Sequence, residues 1–162
     1  MPTYPRHRRR FEQIAPNRTD PGPKWLDMRA LARVHASSED PQHPIGRALS
    51  PLHGGGWRAA SPGPQVIELR FRERRDLTHI RLVFDEEREA RTQQFTITWS
   101  ARRGEMHGEV VRQQFNFSPA GAVREIEDYT VALRAVETVR IHITPDISGG
   151  SAHASLTQCQ LA

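Results

Sequence analysis

Cysteine occurs once in these 162 residues, at Cys159, so no disulfide can form within the chain. Lysine is as scarce: Lys24 is the one lysine among 23 basic residues. No stretch of about 20 apolar residues is available to cross a bilayer as a helix, and none has the length of a secretory h-region. Also missing are a cysteine cluster, a pair of histidines spaced for one helix face, and an EF-hand spacing, which removes the common sequence signatures of zinc and calcium sites. Together these absences lead to the expectation of a cytoplasmic protein without a resident metal.

The net charge is +4, and it is unevenly spread. Arg6, Arg8, Arg9, Arg10 and Arg18 stand against only Glu12 and Asp20 in the first twenty residues, so the remainder of the chain is close to neutral. A generally basic nucleic-acid-binding body is therefore not supported. Residues 1–23 are rich in proline and arginine, with neither helix nor strand period, and are expected to form a disordered or loosely attached arm. Its "RHRRR" run suits phosphates or an acidic partner. Residues 24–162 are expected to form one domain, with 36% hydrophobic and 26% charged residues overall.

The chemistry of the domain follows from its periodicity. In "QVIELRFR", Ile67, Leu69 and Phe71 take one face and Glu68 and Arg70 the other. Ile80, Leu82 and Phe84 repeat the pattern in "LTHIRLVF", and Phe95, Ile97 and Trp99 repeat it in "QQFTITWS". Further strands are expected at residues 32–36, 109–117, 122–133, 139–144 and 154–161, separated by turn-forming segments such as "NFSPAG" and "TPDISGG". Single helical turns are expected near Trp25 to Met28 and Arg47 to Leu49. Short antiparallel strands joined by such turns indicate an all-β sandwich or barrel.

One run suggests a different chemistry. His53-Gly54-Gly55-Gly56 matches the oxyanion-hole segment of lipases and esterases. That fold also needs a G-x-S-x-G nucleophile elbow and alternating helices, and the sequence has neither, so no enzyme activity is expected. The glycines instead let a loop turn back and deliver Trp57, as a core or rim anchor or as a plate on which a ligand stacks. Elsewhere, "RTQQF" and "VRQQF" set Arg91, Gln93, Gln94, Arg112, Gln113, Gln114 and Asn116 beside aromatic rings, a combination that suits sugar hydroxyls and C–H faces.

The order of several segments is similar to that of the discoidin, or coagulation factor 5/8 type C, domains of the galactose-binding-like superfamily. The segments are "HASS" at His35 to Ser38, "RALS" at Arg47 to Ser50, "GGGW" ending at Trp57, "QVIELRF", "LTHIRLVF", "RTQQFTITWS" and the closing "RIHITPDISGGSAHASLTQCQLA". The resemblance covers residues 32–162 and implies an all-β, eight-stranded antiparallel jelly-roll sandwich that binds glycans, lipids or proteins through loops at one end, without catalysis. It also implies a structural calcium in many members. Here the loop "SPLHGGGW" has no carboxylate, and Thr157 and Gln158 stand where the family often has a glutamate, so no cofactor is expected. The candidate ligand-binding residues are Trp57, Arg58, Asp85, Glu87, Arg91 and Asp146. A carbohydrate or glycoconjugate is the first ligand expected, with a protein partner inside the cell as the alternative and nucleic acid bound by the arm as a third reading.

Overall fold

The computed structural model describes residues 22–50, 55–102, 105 and 108–162. The expectations for the basic arm up to residue 21, and for His53 and Gly54, fall outside the described residues. Eight strands form among those described: β1 (Ala32–Ala36), β2 (Trp57–Pro62), β3 (Gln65–Asp85), β4 (Arg91–Ser100), β5 (Gly108–Phe117), β6 (Arg124–Thr144), β7 (His153–Leu156) and β8 (Gln158–Leu161). Of two one-turn helices, α2 (Gly46–Leu49) covers the turn expected at Arg47 to Leu49, whereas α1 (Met28–Leu31) begins at Met28, the last residue of the turn expected from Trp25.

The strand count agrees with expectation, but the strands divide differently. The runs around Leu69 and Leu82 belong to one 21-residue strand, β3, and those around Val131 and Ile141 to another, β6. These two pair along their length, with the register broken between Arg70 and His79. At that break the polar segment from Arg72 to Asp76 turns over an exposed corner, which is why its apolar alternation lapses. Asp76 straps the corner: Oδ1 accepts from Ala135 N at 2.9 Å and Oδ2 pairs with Arg134 at 3.0 Å, while Ala135 takes a φ of 51°.

Past the corner the neighbours change. The first half of β3 lies between β1 and the second half of β6, which continues into β4 and β5. The second half of β3 lies between β8 and the first half of β6. The β3–β6 hairpin is thus folded over and contributes to both layers of the sandwich, with β2 and β7 as a separate pair. Side chains from the two layers meet in the core, where the Phe84 and Phe95 rings lie 5.2 Å apart.

The "HASS" and "GGGW" segments hold this core shut. Ser37 and Ser38 hydroxyls both donate to Gln65 Oε1, at 2.6 and 2.9 Å, and Ser38 Oγ accepts from Ala60 N at 3.1 Å. The Trp57 indole is 1% exposed and donates to Ser38 O at 3.0 Å. Gly56, at φ +57°, makes the backbone turn immediately before it.

The folding-over also sorts the loops. Glu86 N donates to Val123 O at 2.8 Å and Ile147 N to Thr92 O at 2.9 Å, so segments 86–90, 118–123 and 145–150 gather at one end. Ala162 lies at the other, where the Thr78 and His79 amides both donate to its carbonyl oxygen.

Candidate functional site

At the loop end, the start of β4, the end of β5 and the segment after β6 enclose an open cleft of about 280 Å³ lined by Arg91, Thr92, Asn116, Phe117, Asp146 and Ser148, with Ala90 at its edge. Antiparallel pairing sets Thr92 opposite Asn116, and their side chains bond at 2.7 Å. Across the cleft Asp146 Oδ1 accepts from both Ser148 N, at 3.0 Å, and Ser148 Oγ, at 2.7 Å. These bonds hold the Asp146 carboxyl below its ordinary range, so it is an ionised acceptor at neutral pH. Ile147 projects beside it, 50% exposed.

Arg91 forms the floor. Its side chain is only 2% exposed, and it stacks on Phe117 with 4.8 Å between the guanidinium carbon and the ring centroid. Nε donates to Glu86 at 2.9 Å, and Nη1 donates to Pro145 O at 2.7 Å and to Gln93 Oε1 at 3.2 Å. One buried cation therefore ties the loop after β3 to the loop after β6 and fixes the position of Asp146.

Behind this floor the polar chain continues into the sandwich. Gln93, fully buried, donates through Nε2 to Glu125 Oε2 at 3.2 Å. Glu125 is 2% exposed, and its Oε1 is buried and accepts no hydrogen bond. Burial, followed by a hydrogen bond to Glu127 and the charge on that neighbour, pushes its carboxyl up to about 9. The Glu125 carboxyl is thus held in its neutral, protonated form at neutral pH. Glu127 in turn accepts from Tyr129 Oη at 2.6 Å.

Of the six residues expected from sequence, Arg91 and Asp146 line the cleft. Asp85, the last residue of β3, is not among the lining residues and is engaged by Arg124 through bonds of 2.6 and 3.2 Å, and Glu87 is exposed on the loop that follows. Arg58 is exposed on β2 beside His43 and Asp40, outside the cleft. Trp57 requires a correction: the buried indole is a core anchor, and no face is left for a ligand to stack on. The expected donor role of Arg91 shifts as well, since its bonded and nearly inaccessible guanidinium shapes the cleft rather than reaching out of it. Thr92, Phe117 and Ser148 were not singled out by sequence. The β4–β5 register places Thr92 and Phe117, and the bonds to Asp146 place Ser148; only the fold supplies either.

No family sequence model matches the chain, and no curated protein sequence matches it. Solved structures do. A family 32 carbohydrate-binding module of NanJ from C. perfringens, in complex with galactose, superposes with a TM-score of 0.63 at 14% identity, covering 85% of this chain and 96% of that one. The fold is the discoidin-like jelly roll. The same jelly roll relates the chain to the family 32 module of AlyQ, in complex with 4,5-unsaturated mannuronic acid, with a TM-score of 0.60, 18% identity and 86% and 98% coverage. It also relates it to the N-terminal domain of the single-strand break repair protein XRCC1, with a TM-score of 0.56, 16% identity and 81% and 97% coverage. Among the described residues, no group of three or more His, Cys, Asp or Glu side chains is placed to hold a metal ion.

Proposed function

We propose that this chain is a non-catalytic binding module that takes a carbohydrate or glycoconjugate in the loop-end cleft. The observation that carries the reading is the cleft's composition: a fixed carboxylate and a paired amide and hydroxyl over a rigid arginine floor, with the exposed Ile147 next to Asp146 in the chain. Sugar hydroxyls both donate and accept, so they suit Asp146 as acceptor and the Asn116 amide as donor, while their C–H groups suit an apolar rim. Rigidity matters because a preorganised site spends little of its binding energy on ordering side chains. Structures of the same jelly roll in complex with galactose and with an unsaturated mannuronic acid support the assignment of ligand class.

A broad glycan array followed by calorimetry on any hit tests this. Asp146→Ala and Asn116→Ala should each weaken binding by about tenfold or more, as expected for losing a hydrogen bond to or from a ligand. Neither should move the unfolding midpoint by more than a few degrees. Wild-type protein that binds no saccharide on the array would overturn the reading.

A protein-binding module is the second reading. It is favoured by Ile126, 48% exposed on β6, and by a neighbour of the same fold, XRCC1, solved bound to the DNA polymerase β catalytic domain. A stoichiometric partner recovered from native cells and lost on Ile126→Asp, but retained by Asp146→Ala, would favour it over the sugar reading.

A further inference from the structure

A second depression, of about 230 Å³, lies away from the loop end, where the segment leading into α1 meets the paired strands β3 and β6. Trp25, His79, Arg81, Asp128, Tyr129 and Thr130 line it. The pairing explains the grouping. His79 is opposite Thr130 and Arg81 opposite Asp128, and strand alternation sets these four on the side of the layer away from Ile80 and the core. None of them belongs to the cleft around Arg91.

Its polar groups are incompletely used. Arg81 Nε is buried and has no hydrogen-bond acceptor. The nearest carboxylate, Asp128 Oδ1, stands 3.8 Å away, too far for a hydrogen bond, and its side chain is 56% exposed. Nε itself is out of reach of a ligand, but the Arg81 side chain is 36% exposed, so its guanidinium end and the Asp128 carboxylate stand side by side as donor and acceptor for two adjacent hydroxyls, one accepting from an Nη group and one donating to the carboxylate. Beside them lies the partly exposed indole of Trp25, an apolar plate for a pyranose C–H face. The His79 ring is steadied through Nδ1 by Thr78 Oγ1 at 2.9 Å, leaving Nε2 as its second polar atom.

We infer that this groove is a second saccharide subsite, specific for an uncharged hexopyranoside with adjacent free hydroxyls, which makes the domain bivalent. The inference rests on the carbohydrate reading above for its ligand class, and on separate residues for its location. The Arg81–Asp128 pair has no net charge, so the groove favours a neutral sugar over a uronic acid. Two subsites at different ends of one rigid sandwich raise apparent affinity for a polymer over a monosaccharide without any new contact.

Amide and indole NMR titration of the full chain with methyl β-galactoside, and separately with glucuronic acid, tests this. The galactoside should shift the Trp25 indole N–H and the amides of residues 79–81 and 128–130 as one set, distinct from the set at 91–92, 116 and 146–148. Trp25→Ala should abolish the first set and leave the second unchanged, and Trp25→Phe should restore much of it. Asp128→Asn, at an exposed position, should weaken the first set at least fivefold and provides the test if Trp25→Ala fails to fold. Galactoside shifts confined to the Arg91 cleft would overturn the second subsite while leaving the proposed function intact. Shifts at the Trp25 set alone would support the subsite and count against the cleft. A groove that responds to glucuronic acid and not to the galactoside overturns the neutral-sugar assignment, and silence of both sets with both probes overturns both readings.

Discussion

Glu125→Gln should make the protein more stable than wild type at pH 8, with the gain shrinking to nearly nothing by pH 4. In the unfolded chain this carboxyl loses its proton near its ordinary value of 4.5, whereas in the folded chain it keeps it to about 9. Between those values the folded state binds the extra proton, so wild-type stability falls as pH rises, with a slope of at most about 1.4 kcal/mol per pH unit. Below 4.5 both states are protonated and the penalty is gone. Glutamine keeps the shape, an acceptor for Gln93 and an N–H donor for Glu127, but it has no proton to lose. Urea unfolding at unit steps from pH 4 to pH 9 would show the two curves diverging upward from acid; parallel curves would rule out the proton retained on Glu125.

Gly56→Ala should lower the unfolding midpoint by roughly 5–10 °C, an estimate from about 2–4 °C per kcal/mol for a domain of this size. Two costs combine. The residue has a φ of +57°, and a left-handed backbone costs an L residue roughly 1–2 kcal/mol. A Cβ there would also strike Leu156 O and Thr157 Cα, backbone atoms that cannot swing aside, so β2 and β7 would have to part. Gly63→Ala is the control, since Gly63 also has a positive φ, +84°, but a Cβ there would meet nothing within 4 Å. Its midpoint should fall by less than half as much. Equal losses from the two substitutions would show that the close approach of β2 to β7 contributes nothing.

The strands were legible wherever one face is buried and the other wet, which is why Ala32–Ala36 was placed to the residue. β2 was missed because Trp57 and Ala59 are its only buried residues and it ends in proline. The corner was missed for a related reason: extended backbone that is solvated on both faces has no hydrophobic alternation to reveal it. Within the site, Arg91 and Asp146 could be named because turn-flanking charged residues draw notice. Glu125 could not, because "REIEDY" read alone puts Ile126 inward and the glutamates outward. The structure does the reverse, with Ile126 48% and Glu125 2% exposed. Tyr129, Val131 and Leu133 pack on the core and set the register, and the strand's period of two then commits Glu127 and Glu125 to the same side.

The contact of Ala162 with Thr78 and His79 decides how this domain can be mounted on a surface. From Ile80, paired with Leu161, to Asp85 at the loop end is five residues of strand, roughly 17 Å. A biosensor tether added after Ala162 would hold the Arg91 cleft toward the flowing analyte while crowding the groove that contains His79. Coupling through a cysteine introduced on the 118–123 loop would reverse that presentation, because the one native thiol, Cys159, is buried and will not compete.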